Sequence, residues 1–457
     1  MKTHLFFIVL AITSLDVLRG QRTTGKLFLL GGATSDDSSS IYNAIREATE
    51  VLHPKIAVVI SAAPSLEDGL DAYFVSEPGW KSYEQLFIDY GFDPSVVYLA
   101  IDNYEGANSN TTTLGRENIE KIRSADAIFF NGGDQSRHSR AWLEDDGSDT
   151  EIMVVLRDRF SKGAVIAGTS AGMAVQGEQT FGSGTSYGYY FYNGDLKQLK
   201  VGEELADDRD PNDEYRYDEN GAYVKGFGFL TDALVDTHFD ARGRFGRLIV
   251  AMRSVGVVHG FGVDEDTALY IHNDVANVYG TWGVWIIDKT TETIPDAQDY
   301  FASDNIRIHY LTEGDSYNVI TKEVTSTKAI VTSVDGIAYA SISIFGRDQG
   351  LRSIKSLVVS NSNVSRGLSR ENNPTCEVVF EKDERTRSYV SESQYTIANL
   401  LLHMGAEGLV TGTPSTETPH TTTPNITTPS TTGVASTLGT MKITITLTVS
   451  MTMLRFI

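Results

Sequence analysis

AVIAGTSAGM, residues Ala164 to Met173, is an apolar run that ends in Gly168-Thr169-Ser170-Ala171-Gly172 and passes into a stretch with helical character. A strand that turns sharply through Gly-x-Ser-x-Gly into a helix is the pattern of a nucleophile elbow. Glycines on either side of the serine permit a strained turn that lifts the hydroxyl out of the sheet. The helix N-terminus behind it favours the negative charge that develops during attack. A capping serine in an ordinary βα turn gives the same five residues, so the motif gains meaning only from what surrounds it.

Working outward, the same rhythm repeats. Lys26 to Leu30 (KLFLL) is closed by Gly31 and Gly32 and followed by a helical pattern from Ser40 to His53. Ile56 to Ser61, Val96 to Leu99 and Ala127 to Phe130 are further apolar runs with helix-like stretches between them. Strands alternating with helices predict an α/β fold with a mostly parallel sheet covered on both faces. Ligands in such folds bind beyond the carboxyl ends of the strands. From Thr180 to Lys225 the rhythm breaks: Tyr187, Tyr189, Tyr190 and Tyr192 precede an acidic run, which predicts a long surface insertion. Beyond Asp288 the runs Ile306 to Leu311, Ala329 to Val334 and Ile337 to Ile344 predict edge strands and a small β-rich C-terminal appendage ending near Gly408.

The 457 residues are 41% hydrophobic, enough for one large core, and carry a formal net charge of −22. That charge argues against nucleic acid or an anionic membrane surface as a partner, since phosphates repel it. Lys2, the apolar run Leu5 to Ile12 and the small residues near Gly20 read as a signal peptide over residues 1–20. Asn110, Asn363 and Asn425 stand in Asn-x-Ser/Thr triplets, so glycosylation on the secretory route is expected. The single cysteine, Cys376, allows no intrachain disulfide. Residues 411–432, nearly all Thr, Ser and Pro, read as an O-glycosylated stalk, and 433–457 as a hydrophobic tail with the outline of a GPI-anchor signal. The other reading of that tail is a plain secreted terminus.

A reactive serine needs oxyanion donors, a base and a group to orient the base. Ala127 to Phe130 opens into Asn131-Gly132-Gly133-Asp134-Gln135, a loop whose glycines let backbone N–H groups approach a ligand. Gly133 and Asp134, with Ala171 behind the serine, are the expected donors. Among nine histidines there is no His-Glu-x-x-His or His-x-His, so no metal ligand set is visible and no cofactor is expected. His238, after the apolar run Leu234-Val235 and ahead of Arg242, Arg244 and Arg247, is the best-placed base. Phe261 to Leu269 (FGVDEDTAL) offers Asp264, Glu265 and Asp266 as the orienting acid, and the residues alone do not choose among them. The order serine, histidine, acid also differs from that of α/β-hydrolases, which place the acid before the histidine.

GTSAGM at Gly168 to Met173, NGGDQ at Asn131 to Gln135, D-x-HF-x-x-R-x-R-x-x-RL at Asp236 to Leu248, and GFGVDEDTAL at Gly260 to Leu269 together resemble the cyanophycinase-like serine peptidases, relatives of peptidase E. The four motifs occur in the family's order, and the resemblance covers roughly Lys26 to Lys322. The resemblance implies a three-layer sandwich like class I glutamine amidotransferases, over 24–323 with the insertion at 180–225, and 324–408 as the appendage. It implies Ser170 as nucleophile, His238 as base and Glu265 as acid, with Gln135, Asp236, Arg242, Arg244 and Arg247 shaping the substrate pocket. Guanidinium forks suit a substrate carboxylate. Thr237 departs from the family's usual Gln.

The expected function is therefore hydrolysis of peptide or isopeptide bonds at aspartyl or β-aspartyl residues by a secreted or surface-anchored enzyme. The alternatives are a general amidase or esterase, and a catalytically idle acidic extracellular or matrix protein that keeps the fold for binding. A membrane enters only through the anchor, and the oligomeric state is left open, a dimer being one reading.

Overall fold

Short apolar runs closed by glycine become strands, and the helices between them supply the cover. The computed structural model describes residues 25–203, 221–295 and 299–410. Strands β1 (Lys26–Leu30), β2 (Lys55–Val59), β3 (Asp93–Val97), β4 (Ala127–Phe130) and β5 (Val165–Thr169) lie in the order β1-β5-β4-β2-β3. Every pairing among these five is parallel. On one face, Ile41 and Ile45 of the helix Ser39–Ala48 and Phe87 of the helix Tyr83–Asp89 pack on Phe28, Val58 and Phe129. On the other, Ile122 of Thr113–Ser124, Trp142 of Gln135–Trp142 and Leu156 of Glu151–Ser161 pack on Val59, Ile128 and Ile166. Both faces are thus buried under helices, which makes three layers.

The sheet is mixed. Beyond β1 it continues antiparallel through Thr267–His272, Val275–Gly280, Ser316–Asn318 and Val324–Thr325. Asn273 and Asp274 join the first two of these with φ of 49° and 65°, the left-handed pair that a tight two-residue hairpin demands and that Asn and Asp tolerate. Over this half of the sheet the helical layer gives way to a second sheet, and Leu29, Leu269 and Val278 pack against Val235, Phe261, Val263 and Ile286.

That second sheet begins with Ala233–Asp236 parallel to His259–Val263 and continues antiparallel through Gly283–Asp288, Ser303–Thr312 and Gln394–Ala406. The β-rich C-terminal part is present, and its strands are hydrogen-bonded into the same sheet: Gln394–Ala406 pairs with both Ser303–Thr312 and Cys376–Glu381. Ile337 to Ile344, expected as a strand, is irregular, with Ile337 and Ile342 exposed; only Ser341 bridges to Gly367 and Ile344 is buried in the core.

The stretch Thr180 to Lys225 departs from the expected surface excursion. Gln179–Ser183, Lys197–Gln198 and Ala222–Lys225 form a three-stranded sheet. The helix Ser186–Phe191 buries Tyr187, Tyr189 and Tyr190 against Phe245, Leu248 and Ile249. Tyrosine hydroxyls make this burial workable: Tyr187 donates to Pro374 O at 2.9 Å and Tyr189 to Ser183 O at 3.0 Å. The acidic run beyond residue 203 lies outside the described residues.

Candidate active site

Five strand ends converge at one rim. β1 delivers Gly31 and Gly32, β4 delivers Asn131 to Gln135, and β5 delivers Ser170. Ala233–Asp236 delivers His238, and His259–Val263 delivers Glu265. Each group follows the carboxyl end of a parallel strand, where such sheets place their sites.

Ser170 has φ 52° and ψ −114°, a region that costs a non-glycine residue about 1–3 kcal/mol and persists only where its surroundings impose it. The surroundings leave no slack. A Cβ added to Gly168 would lie 2.3 Å from Gly172 O, and one added to Gly172 would lie 2.1 Å from Phe130 O. Both glycines of the motif are therefore required for the turn to pack against β4.

Ser170 Oγ lies 2.8 Å from His238 Nε2, and His238 Nδ1 lies 2.8 Å from Glu265 Oε1. With Glu265 ionised, Nδ1 carries the proton and donates it, which leaves Nε2 to accept from the serine hydroxyl. Burial lowers His238 to about 4; the hydrogen bond to Glu265 opposes that shift, and Arg242 and Arg244 add to it. The same hydrogen bond, against the cost of burial, holds Glu265 below the ordinary carboxylate value, with Arg347 and Arg242 contributing. A neutral imidazole aligned between a hydroxyl and a carboxylate is competent to take the serine proton.

The structure separates the three acids that the residues alone left open. Glu265 meets the histidine. Asp264 points the other way, buried, and accepts the Tyr310 hydroxyl at 3.1 Å. Asp266 ties down the Gly31 to Ser38 loop, accepting Ser35 N at 2.9 Å, the Ser38 hydroxyl and Thr281 Oγ1.

In the oxyanion loop one expectation is corrected. Asp134 directs its N–H to Ala62 O at 3.0 Å, and its side chain caps the helix Gln135–Trp142 through Ser136 N. It is therefore not a free donor. Gly132 hydrogen-bonds through its backbone to the Tyr83 hydroxyl. Gly133 and Ala171 remain, their N–H groups without partners among the described residues. The loop lies on Ser170, since a Cβ at Gly132 would sit 3.6 Å from Ser170 Cβ. Beneath it, fully buried, His138 joins Asn131 O (3.1 Å) to Ser61 Oγ (2.8 Å), which also accepts Trp142 Nε1 at 3.1 Å. Burial keeps His138 near 4 and so neutral.

The expected pocket residues are partly committed to one another. Arg247 grips Asp236 with Nε at 2.7 Å and Nη2 at 2.5 Å, and donates Nη1 to Gly184 O at 2.9 Å. Arg244 donates to Thr237 O at 2.7 Å and reaches Asp236 at only 3.5 Å. Burial, reinforced by Arg247, pushes the Arg244 guanidinium well below its ordinary value. Gln135 donates to Phe181 O. Of the glycosylation sites, Asn110 and Asn363 are exposed, and Asn425 lies outside the described residues.

Gly31 and Gly32 carry more of the site than their reading as a strand end suggested. Gly31 O accepts His238 N at 2.7 Å, and a Cβ on Gly32, which has φ 102°, would lie 2.4 Å from His238 Nε2. A glycine pair at the end of the first strand of an α/β unit is the signal that marks them.

A strained serine on an elbow, joined through histidine to glutamate, defines the class of serine hydrolases with a Ser-His-acid arrangement. The family model for peptidase family S51 matches residues 27–199. The cyanophycinase of Synechococcus elongatus is 30% identical over 251 residues, 53% of this chain and 66% of its own length. That of Geminocystis herdmanii is 30% identical over 247 residues, 50% of this chain and 78% of its own length. The chain thus spans just under two thirds of the first relative and more of the second. The crystal structure of a peptidase from an acI-B1 Actinobacterium aligns with a TM-score of 0.40 at 18% identity, over 65% of this chain and 98% of that one. The chain belongs to peptidase family S51, the cyanophycinase-like family of serine peptidases.

Gly32→Ala puts a methyl group on the imidazole in a backbone region hostile to it. The variant is expected to keep its far-UV circular dichroism while its rate of labelling by a serine-directed fluorophosphonate falls more than about tenfold. Labelling at the parental rate would contradict the role given to Gly32.

Proposed function

We propose that this chain is a serine peptidase that hydrolyses peptide or isopeptide bonds at aspartyl residues. Ser170 attacks the scissile carbonyl while His238 takes its proton. The Gly133 and Ala171 N–H groups hold the oxyanion, and His238 returns the proton to the leaving amine. Water then attacks the acyl-enzyme, with His238 again as base. Glu265 fixes the tautomer and stabilises the imidazolium. The observation that carries this reading is the unbroken pair of 2.8 Å contacts from Ser170 through His238 to Glu265.

Support for an aspartyl preference comes from the charge balance beside the base. Arg244 and Arg247, both buried or nearly so, share one carboxylate, Asp236. One positive charge is left without a full partner, and a substrate carboxylate would supply it. The cyanophycinase names of the relatives point the same way. Passage through the secretory route is part of the same reading, resting on the leader-like residues 1–20 and the exposed Asn110 and Asn363.

In a comparable triad, loss of the serine or the histidine costs about 10⁶ in kcat. Purified Ser170→Ala is expected to lose hydrolysis of β-Asp-Arg and Asp-X dipeptides to that degree, with the parent enzyme favouring these over simple esters. Full turnover by Ser170→Ala would remove the proposal, and a preference for esters would remove its aspartyl part.

Because protonated His238 cannot accept the serine proton, activity is lost as pH falls through the value of the folded protein. With that value lowered to about 4, kcat/KM should rise with a midpoint near 4 and be level by about pH 6. A midpoint near 6.5 would mean an imidazole in ordinary surroundings.

Expression in a secreting eukaryotic cell should yield medium-borne protein whose mass drops on endoglycosidase treatment, with a smaller drop in Asn110→Gln or Asn363→Gln. Retention in the cytosol without glycan would overturn the secretory part.

A further inference from the structure

Asp264, the acid that the Ser-His-Glu chain does not use, leads to the C-terminal half of the protein. Its Oδ1 accepts Asp240 N at 3.0 Å, its Oδ2 accepts the Tyr310 hydroxyl at 3.1 Å, and its own N–H goes to Gly283 O at 3.0 Å. Asp240 lies two residues after the base. Its Oδ1 accepts Leu351 N at 3.1 Å, and its carbonyl accepts Asp348 N at 3.0 Å. Asp348 and Leu351 stand at the start of the helix Gln349–Val359, and a Cβ on Gly350 would lie 3.0 Å from Asp240 Oδ1. Just before them, Phe345 closes on the same loop. A Cβ at Gly243 would be 1.9 Å from Phe345 O, and the Phe345 and Phe245 rings are 5.4 Å apart.

The loop that carries His238 is thus held from two sides: by Asp264, adjacent to Glu265, and by residues 345–351. We propose that Asp240 and Asp264 are positioning residues that lock the base against its orienting glutamate, with Phe345 to Leu351 of the C-terminal half completing the clamp.

His238 has φ 46°, a left-handed backbone that a histidine holds only under constraint. After the fully buried ring of Phe239, the bonds of Asp240 are the first side-chain hydrogen bonds that follow it in the chain. Two buried carboxyls this close are costly. Burial and then the charge of Asp264 push Asp240 well above the ordinary carboxyl value, and burial raises Asp264 to about 7. Lys355, on the same C-terminal helix, and the Asp348 carboxylate are the other charges acting on Asp240, and the Tyr310 hydroxyl faces the pair from the sheet. A contact that had only to fill space would use apolar side chains at lower cost. The two acids instead provide directional bonds at both ends of the His238–Glu265 contact. Arg347, between Phe345 and Asp348, adds its charge to the Glu265 carboxylate from the same segment.

The inference rests on the serine-peptidase reading, and its test uses the full chain. For Asp240→Ala, Asp240→Asn and Tyr310→Phe, kcat and KM are measured on the best dipeptide substrate, with thermal unfolding as the control for folding. Asp240→Ala is expected to lose about tenfold or more in kcat with KM within about twofold, since a displaced base harms the chemical step and not ground-state binding. Asp240→Asn keeps an acceptor for Leu351 N–H and should recover most of that loss. Tyr310→Phe, which removes one donor and no volume from the core, should lower kcat alone by about two- to fivefold; it keeps the test open if Asp240→Ala does not fold. Parental kcat in a folded Asp240→Ala, or in Tyr310→Phe where the alanine variant fails to fold, overturns the inference and leaves the peptidase reading standing. Absence of Ser170-dependent turnover in the parent overturns both.

Discussion

Three consecutive carbonyls at the end of β1 organise the site. Leu30 O accepts Ser170 N at 3.0 Å, Gly31 O accepts His238 N at 2.7 Å, and Gly32 O accepts Asp266 N, next to Glu265, at 2.9 Å. Ser170, His238 and Glu265 come from positions up to 95 apart in the chain. All are nevertheless suspended from one strand end. The first sheet contributes the serine and the second contributes the histidine and glutamate, so this strand end is also where the two sheets are brought into register. The distances in the Ser-His-Glu chain are therefore set mainly by backbone hydrogen bonds, which are less easily displaced than side-chain packing.

That arrangement explains why so many small residues crowd the rim. The peptide groups of β1, β4 and the two turns approach more closely than a Cβ permits. Gly31 abuts Asp264 O, Gly133 abuts Ala62 O, and Gly172 abuts Phe130 O. Two non-glycine residues, Ser170 and His238, hold positive φ inside the same cluster. Their strain is a local cost met by the rest of the fold, and it fixes the hydroxyl and the imidazole in orientations that a relaxed turn would not give.

Much of this was legible in the sequence because it is local. An apolar run ending in Gly-x-Ser-x-Gly announces a strand, an elbow and a helix within ten residues, and Asn131 to Gln135 announces a glycine-opened loop. The parallel core followed from repetition of the same unit. What escaped was non-local. Nothing in Asp264, Glu265 and Asp266 themselves tells which one turns toward a histidine 27 residues earlier; their resemblance to a known motif chose Glu265, and geometry alone explains the other two. Tyr187, Tyr189 and Tyr190 read as surface because an acidic run follows them, whereas their rings fill a core completed by Phe245 and Leu248. The strands after Asp288 showed their period, but no periodicity states that Gln394–Ala406 pairs with Ser303–Thr312. Asp134 belongs with these, since the acceptor of its N–H, Ala62, lies in a different βα unit.

The net charge of −22 describes the surface of this protein and misdescribes its site. Around His238 four guanidiniums gather: Arg242, Arg244 and Arg347 act on His238 or Glu265, and Arg247 pairs with Asp236. Burial makes those charges effective, because charges screened by water at the surface act at short range and low dielectric inside. The imidazole is held neutral by burial, with Arg242 and Arg244 adding to that effect. The proton affinity of the imidazole and the proposed preference for an acidic substrate thus share the cations beside His238. A substitution that removes one of these arginines would alter both together, even though only one of the two is a property of the free enzyme.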